Sequence, residues 1–254
     1  MSNDRISSIV KEKNGFVWIG TENGLNRYDG NKIKIYNKQN SALSSNDIAD
    51  LLIDHTGNIW VGTLGGGLNL YNPSNDKFIT YKNISHDASS IPSNELNTVF
   101  EDSNGVIWLG TKNGISFFNK KEQTFKTYKF DSKNSYSISH NDVRTIYEDS
   151  DKNLWIGTFG GGLNKFDPTT GKFNRIKSSS TISPDYIHSI CGINKNEILI
   201  GSSGKGLLTF DVTSSSFQKK TYGIKKTISM MPPLRRMDEK TVEISLSVRS
   251  LLWL

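Results

Sequence analysis

Four carboxylates recur at matching places along the chain: Glu12, Asp54, Asp102 and Asp149. Carboxylates arranged around a common axis could chelate a cation. The phrases Asp54-His-Thr-Gly57 and Asp102-Ser-Asn-Gly105 fit a turn better, because Asp accepts hydrogen bonds from amides two residues further on. The triplets Gly65-Gly66-Gly67 and Gly160-Gly161-Gly162 suggest a phosphate cradle at first sight. Neither precedes a helix or a Gly-Lys-Ser/Thr phrase, so tight strand turns that need positive φ are expected instead. The four histidines, His55, His86, His140 and His188, share no metal-ligand spacing, and no serine or cysteine sits in a nucleophile motif. Cys191 is the only cysteine, which excludes an internal disulfide and any multi-cysteine metal site. The expectation is no catalytic residue, no metal and no cofactor.

Thr21, Thr63, Thr111 and Thr158 also recur, as do Asn26, Asn69 and Asn164, and regular recurrence marks them as structural. Residues that break the repetition are the better candidates, since a ligand has no reason to respect it. The longest connections, 83–95 and 131–142, are rich in Ser and Asn and hold His86, His140 and Tyr136. Loops on a rigid scaffold are where such proteins recognise partners. An exposed aromatic ring beside Asn, Asp or Arg is a platform for a ligand, which makes Tyr136 the candidate ligand-binding residue.

These residues are positioned by a repeat. Val17-Trp18-Ile19-Gly20-Thr21, Ile59-Trp60-Val61-Gly62-Thr63, Ile107-Trp108-Leu109-Gly110-Thr111 and Leu154-Trp155-Ile156-Gly157-Thr158 are near-copies, and Ile198-Leu199-Ile200-Gly201-Ser202 is a degraded fifth. Equivalent positions lie 42, 48, 47 and 44 residues apart. Four strands of ~5–6 residues with their turns fill that length. In each copy a first segment has apolar residues three apart (Ile6 and Ile9, Ile48 and Leu51, Leu96 and Val99, Val143 and Ile146, Ile187 and Ile190). The Trp phrase reads as a buried central strand. A third strand opens on glycine, as in Gly67-Leu-Asn-Leu-Tyr71. The fourth, from Phe78, Phe125, Phe173 or Phe217, is an edge flanked by Lys77, Lys82, Lys126, Lys129, Lys172 and Lys177, charges that discourage pairing with other chains. The fold class expected is all-β: a β-propeller of four-stranded blades, five of them recognisable, at about 5–40, 46–83, 94–130, 141–178 and 186–222.

Composition agrees. Of 254 residues only 35% are hydrophobic, while 22 are Gly and 25 are Asn, which suits short strands joined by polar turns rather than a helical bundle. The net charge of +6 is spread over single lysines, so nucleic acid is not an expected partner. No apolar run is long enough for a membrane span, and the residues after Met1 do not read as an export signal. Residues 224–254 differ in kind: they contain neither Gly nor Asn but three of the four Met. The propeller is therefore expected to span 1–223, followed by an atypical tail. Loss of the reading frame near residue 224 is one origin; a divergent partial blade, with Thr241 to Leu246 alternating like a strand, is the other.

Leu154-Trp-Ile-Gly-Thr-Phe-Gly-Gly-Gly-Leu-Asn-Lys-Phe-Asp-Pro168 resembles the two-component regulator propeller repeat, and Gly20-Thr-Glu-Asn-Gly-Leu-Asn-Arg-Tyr-Asp-Gly30 resembles the first blade of such sensors. The resemblance implies the periplasmic sensor region of a hybrid two-component histidine kinase of the Bacteroidetes type. It also implies oligosaccharide ligands, seven-bladed rings, signal transduction to transcription, and dimerisation through C-terminal modules that this chain lacks. Five blades depart from the seven of that pattern. Two alternatives remain: a streptogramin-lyase-like propeller enzyme, which would need a His or acid pair with a divalent metal, and a generic protein-binding scaffold.

Overall fold

The computed structural model describes residues 1–177, 182 and 184–219. The atypical tail at 224–254 lies outside the described residues. Every regular element among the described residues is a β-strand, in five four-stranded antiparallel sheets whose strands follow chain order. The expected all-β blade architecture is thus what the chain adopts. By contacts the described residues divide into two compact units, one ending at Lys129 and the other beginning at Phe130.

The first unit holds three blades. They are β1 (Ile6–Lys11), β2 (Val17–Thr21), β3 (Gly24–Tyr28) and β4 (Ile33–Tyr36); β5 (Ile48–Ile53), β6 (Ile59–Thr63), β7 (Gly67–Asn72) and β8 (Lys77–Tyr81); and β9 (Leu96–Glu101), β10 (Ile107–Thr111), β11 (Gly114–Asn119) and β12 (Thr124–Tyr128). The second unit holds two: β13 (Val143–Glu148), β14 (Leu154–Thr158), β15 (Gly162–Asp167) and β16 (Lys172–Arg175); then β17 (Ile187–Asn194), β18 (Glu197–Ser202), β19 (Gly206–Asp211) and β20 (Ser216–Lys219).

The three-residue apolar spacing of each first strand has a physical cause. A register shift lies between Ile6 and Ser8, Ile48 and Asp50, Val143 and Thr145, and Ile187 and Ser189. A bulge inserts one residue into the period-2 pleat, so side chains three apart face the same way. Three of the Trp-phrase glycines leave room for the next blade of their own unit. A Cβ at Gly20 would lie 2.6 Å from Ile48 Cγ2, at Gly62 2.9 Å from Val99 Cγ2, and at Gly157 2.5 Å from Ile187 Cγ2.

Within the first unit, Trp18, Tyr36 and Leu25 of one blade pack with Tyr71 and Phe78 of the next, and Trp60 and Leu68 with Phe118 and Phe125. Within the second, Trp155 and Leu163 pack with Phe210 and Phe217. Asp50 ties three first strands together, accepting from Ser8 Oγ at 3.0 Å and from Thr98 Oγ1 and the Val99 amide at 3.1 and 3.0 Å. Burial pushes its carboxyl up against the pull of those donors.

Candidate functional site

The recurring polar residues all prove to be framework. Asp54 Oδ1 accepts the amides of Thr56 and Asn58, while Oδ2 accepts the Trp60 indole N–H at 3.0 Å. Asp102 and Asp149 repeat this on Trp108 and Trp155 at 2.9 and 2.8 Å, and the longer Glu12 reaches Trp18 at 2.5 Å. A buried indole N–H must find an acceptor, so the carboxylate serves turn and core at once. Thr21, Thr63, Thr111 and Thr158 each donate to the carbonyl of the glycine that opens the third strand, at 2.7–2.9 Å. Asn26, Asn69 and Asn164, fully buried, accept the amides of Ser2, Ser44 and Ser139 at 2.8, 3.1 and 3.0 Å, so they anchor the segments leading into the first, second and fourth blades.

The two long connections share one construction. Ile91 and Ile138 are fully buried plugs. Ser90 Oγ accepts the Ile84 amide, and Ser137 Oγ the Asp131 amide. The Ser89 carbonyl accepts the Phe125 amide at 2.7 Å, and the Tyr136 carbonyl accepts the Phe173 amide at 2.9 Å. Each connection therefore covers part of the outer strand's free edge, a task the sequence assigned to lysines alone.

Tyr136 nonetheless keeps its ring in the open, 57% exposed. It lies on the rim of a cleft of about 750 Å³ on the outer half of the fourth blade, lined also by Lys165, Asp167, Lys172, Arg175 and Lys177. Register places Lys165 beside Trp155, and Asp167 opposite Lys172, on one face of the sheet. Lys172 Nζ stands 4.6 Å from the Tyr136 ring centre, and Lys165 Nζ 5.5 Å from that of Trp155. Arg175 holds the Tyr136 loop by donating to the carbonyls of Ser137 and Asn134 at 2.9 and 3.0 Å and to Ser137 Oγ at 2.7 Å. The side chains of Thr169 and Thr170 and the Thr169 amide hold the Asp167 carboxyl at about 2. Sequence reasoning pointed to Tyr136 but missed the lysines and Arg175. The available signal was register: the partner of the second-strand Trp is Arg27, Leu70 and Phe117 in the first three blades and Lys165 in the fourth.

The histidines do not converge. His55 pairs with Glu101 at 2.6 Å, His86 sits in the 83–95 connection with φ 66°, and His140 Nδ1 accepts the Asp142 amide at 3.1 Å. His188 meets Ser203 Oγ at 2.6 Å and packs on Phe159, near Arg144. Burial, and then Arg144, hold the His188 imidazole below its ordinary range. Burial pushes the Cys191 thiol up, which suits a packing role. Among the described residues no three His, Cys, Asp or Glu side chains are placed to share a metal ion.

A blade whose aspartate clamps its tryptophan and whose glycines seat the next blade defines the class, a repeat protein of the propeller type. The two-component regulator propeller model matches four segments of the chain, residues 1–23, 42–65, 90–113 and 137–160, each ending just past a Trp phrase. No curated protein matches the chain. Among solved structures it is similar to the extracellular domain assigned to a hybrid two-component system of B. thetaiotaomicron, with 26% identity and a TM-score of 0.55, over 89% of this chain and 36% of that one. A second such domain from the same organism gives 21% identity and a TM-score of 0.70, over 86% and 31%. Virginiamycin B lyase from Staphylococcus aureus shares the fold at 17% identity and a TM-score of 0.64, over 87% and 71%. The chain thus spans about a third of the length of the two-component relatives. No helix among the described residues is long and apolar enough to cross a membrane.

Proposed function

We propose that this chain is a recognition module from the periplasmic sensor region of a hybrid two-component system, non-catalytic in itself, that binds an oligosaccharide and passes the signal to transcription. The observation that carries the reading is the set of four segments matching the regulator propeller model, supported by likeness to extracellular domains of hybrid two-component systems. The Tyr136 cleft is where we place ligand contact. It is concave, it presents an aromatic face, and its rim is held by the Arg175 bonds rather than left to be ordered on binding. Signalling requires that the ligand favour one arrangement of the sensor over another.

Titrating the purified chain with a panel of oligosaccharides by calorimetry tests the reading. Tyr136→Ala should weaken any binding about tenfold or more, the loss of one stacking contact. Failure of every saccharide to bind would sink it. Translating the genomic locus on both sides is the companion test, with a membrane helix and a kinase core as the expected continuation.

A further inference from the structure

We infer that the Tyr136 cleft selects a saccharide bearing an anionic group, a carboxylate or a sulfate, over its neutral counterpart; this rests on the cleft being the ligand site. Three lysines elsewhere pair with carboxylates, Lys34 with Asp76, Lys112 with Glu95 and Lys195 with Asp151, but most stand singly on exposed strands and turns, so what marks the cleft is that its cations are gathered together. Lys165, Lys172, Arg175 and Lys177 form no ion pair among the described residues, although four cations share one hollow.

The single carboxylate in the lining does not answer them. Asp167 Oδ1 accepts the Thr169 amide and hydroxyl at 2.9 and 2.6 Å, and Oδ2 accepts the Thr170 hydroxyl at 2.7 Å. Arg175 spends its donors on neutral carbonyls and a hydroxyl, which fixes its position and leaves its charge uncompensated. A cluster of like charges costs stability through repulsion unless something repays it.

The third blade supplies the comparison. It has the same backbone scaffold, with the Ser89 carbonyl on the Phe125 amide where the fourth has Tyr136 on Phe173. At the registers of Lys165, Lys172 and Arg175 it carries Phe117, Thr124 and Thr127. The third blade therefore forms without the aromatic ring or the cations; single cations recur at these registers in other blades, as Arg27 and Lys77, but the fourth combines them with an exposed ring. What they add is a sugar-sized hollow where a ring can stack on Tyr136 while Lys172, beside that ring, meets an anionic substituent.

The test titrates the full chain with digalacturonate, glucose 6-sulfate, neutral maltose and sodium sulfate, each at 50 and 300 mM salt. A preference for digalacturonate or glucose 6-sulfate of about tenfold over maltose, reduced by salt, is the expected result. Lys172→Gln should erase most of that preference; an unchanged circular dichroism spectrum would show the fold intact. If maltose binds as tightly as the acids, the inference is overturned while the recognition reading stands. Sodium sulfate binding as tightly as the sugars would overturn the saccharide part. If nothing binds, both fail.

Discussion

Replacing Asp54 with asparagine tests the clamp that all the intact blades share. Asp54 is 3% exposed and accepts five hydrogen bonds, from the Thr56 and Asn58 amides, the Thr56 hydroxyl, the Asn58 side chain and the Trp60 indole. Burial alone would raise its carboxyl, but these donors outweigh it and bring it from 3.8 to about 2. A depressed folded-state value means stability that is present above the unfolded value of 3.8 and lost as pH falls toward 2. At ~1.36 kcal/mol per pH unit, the charged form contributes about 2 kcal/mol at neutral pH. Asparagine removes the charge and can turn an N–H toward the Trp60 indole N–H, leaving a buried donor unsatisfied at a cost of roughly 1–3 kcal/mol. Urea unfolding followed by tryptophan emission, at a series of pH values, should place the variant about 2–3 kcal/mol below wild type at pH 7. That gap should narrow progressively between pH 4 and pH 2 as wild-type Asp54 takes up its proton. Other titrations cancel in the difference. A gap that stays constant down to pH 2 would refute the reasoning, because the charge would then be contributing nothing.

Two further substitutions probe how blades and loops are seated. Gly157→Ala puts a methyl 2.5 Å from Ile187 Cγ2 and 2.6 Å from Thr145 Cγ2; the overpacking should cost about 1–3 kcal/mol, and a melting curve that overlays wild type would contradict the close approach. Ile138→Ala removes the buried plug under the Tyr136 loop and should cost about 2–5 kcal/mol. Limited proteolysis should then cut within 131–142, and an uncut loop would mean that Arg175 alone secures it.

The fold was legible because the repeat presents the same phrase several times, and each copy constrains the others. Trp, Gly and Thr at fixed places gave the second strand, and the Asp turns gave the hairpin before it. The indole partner of each Asp was not read, although the six-residue step from Asp54 to Trp60, Asp102 to Trp108 and Asp149 to Trp155 is constant. Nor was the bulge: a three-residue apolar spacing is ambiguous until a pairing partner shows the slipped register. The site was legible only at Tyr136. Lys165, Lys172 and Lys177 are unremarkable as letters because polar residues alternate on any half-exposed strand. Their meaning lies in being gathered around one exposed ring, a grouping that only the register of the folded blade brings out.

That contrast separates two kinds of residue in a repeat protein. Where most blades share a side chain, the cause must be something those blades have in common: a turn to close, an indole to satisfy, a neighbour to seat. Asp54, Thr63, Asn69 and Gly62 belong here, and each has an internal partner or a close contact that accounts for it. Where one blade departs from the others on an unchanged backbone, packing cannot be the cause, since packing is met equally well without the departure. The Ser89 and Tyr136 loops make the point, because both carry the same bond to the outer strand, yet one presents a serine and the other an exposed aromatic ring beside unpaired cations. Substitutions at the first kind of position should therefore lower stability and, through it, everything else. Substitutions at the second should not lower the melting temperature, and relief of like-charge repulsion at Lys172 would if anything raise it, while what is bound changes; that pairing of outcomes at Asp54 and Lys172 is the discriminating observation.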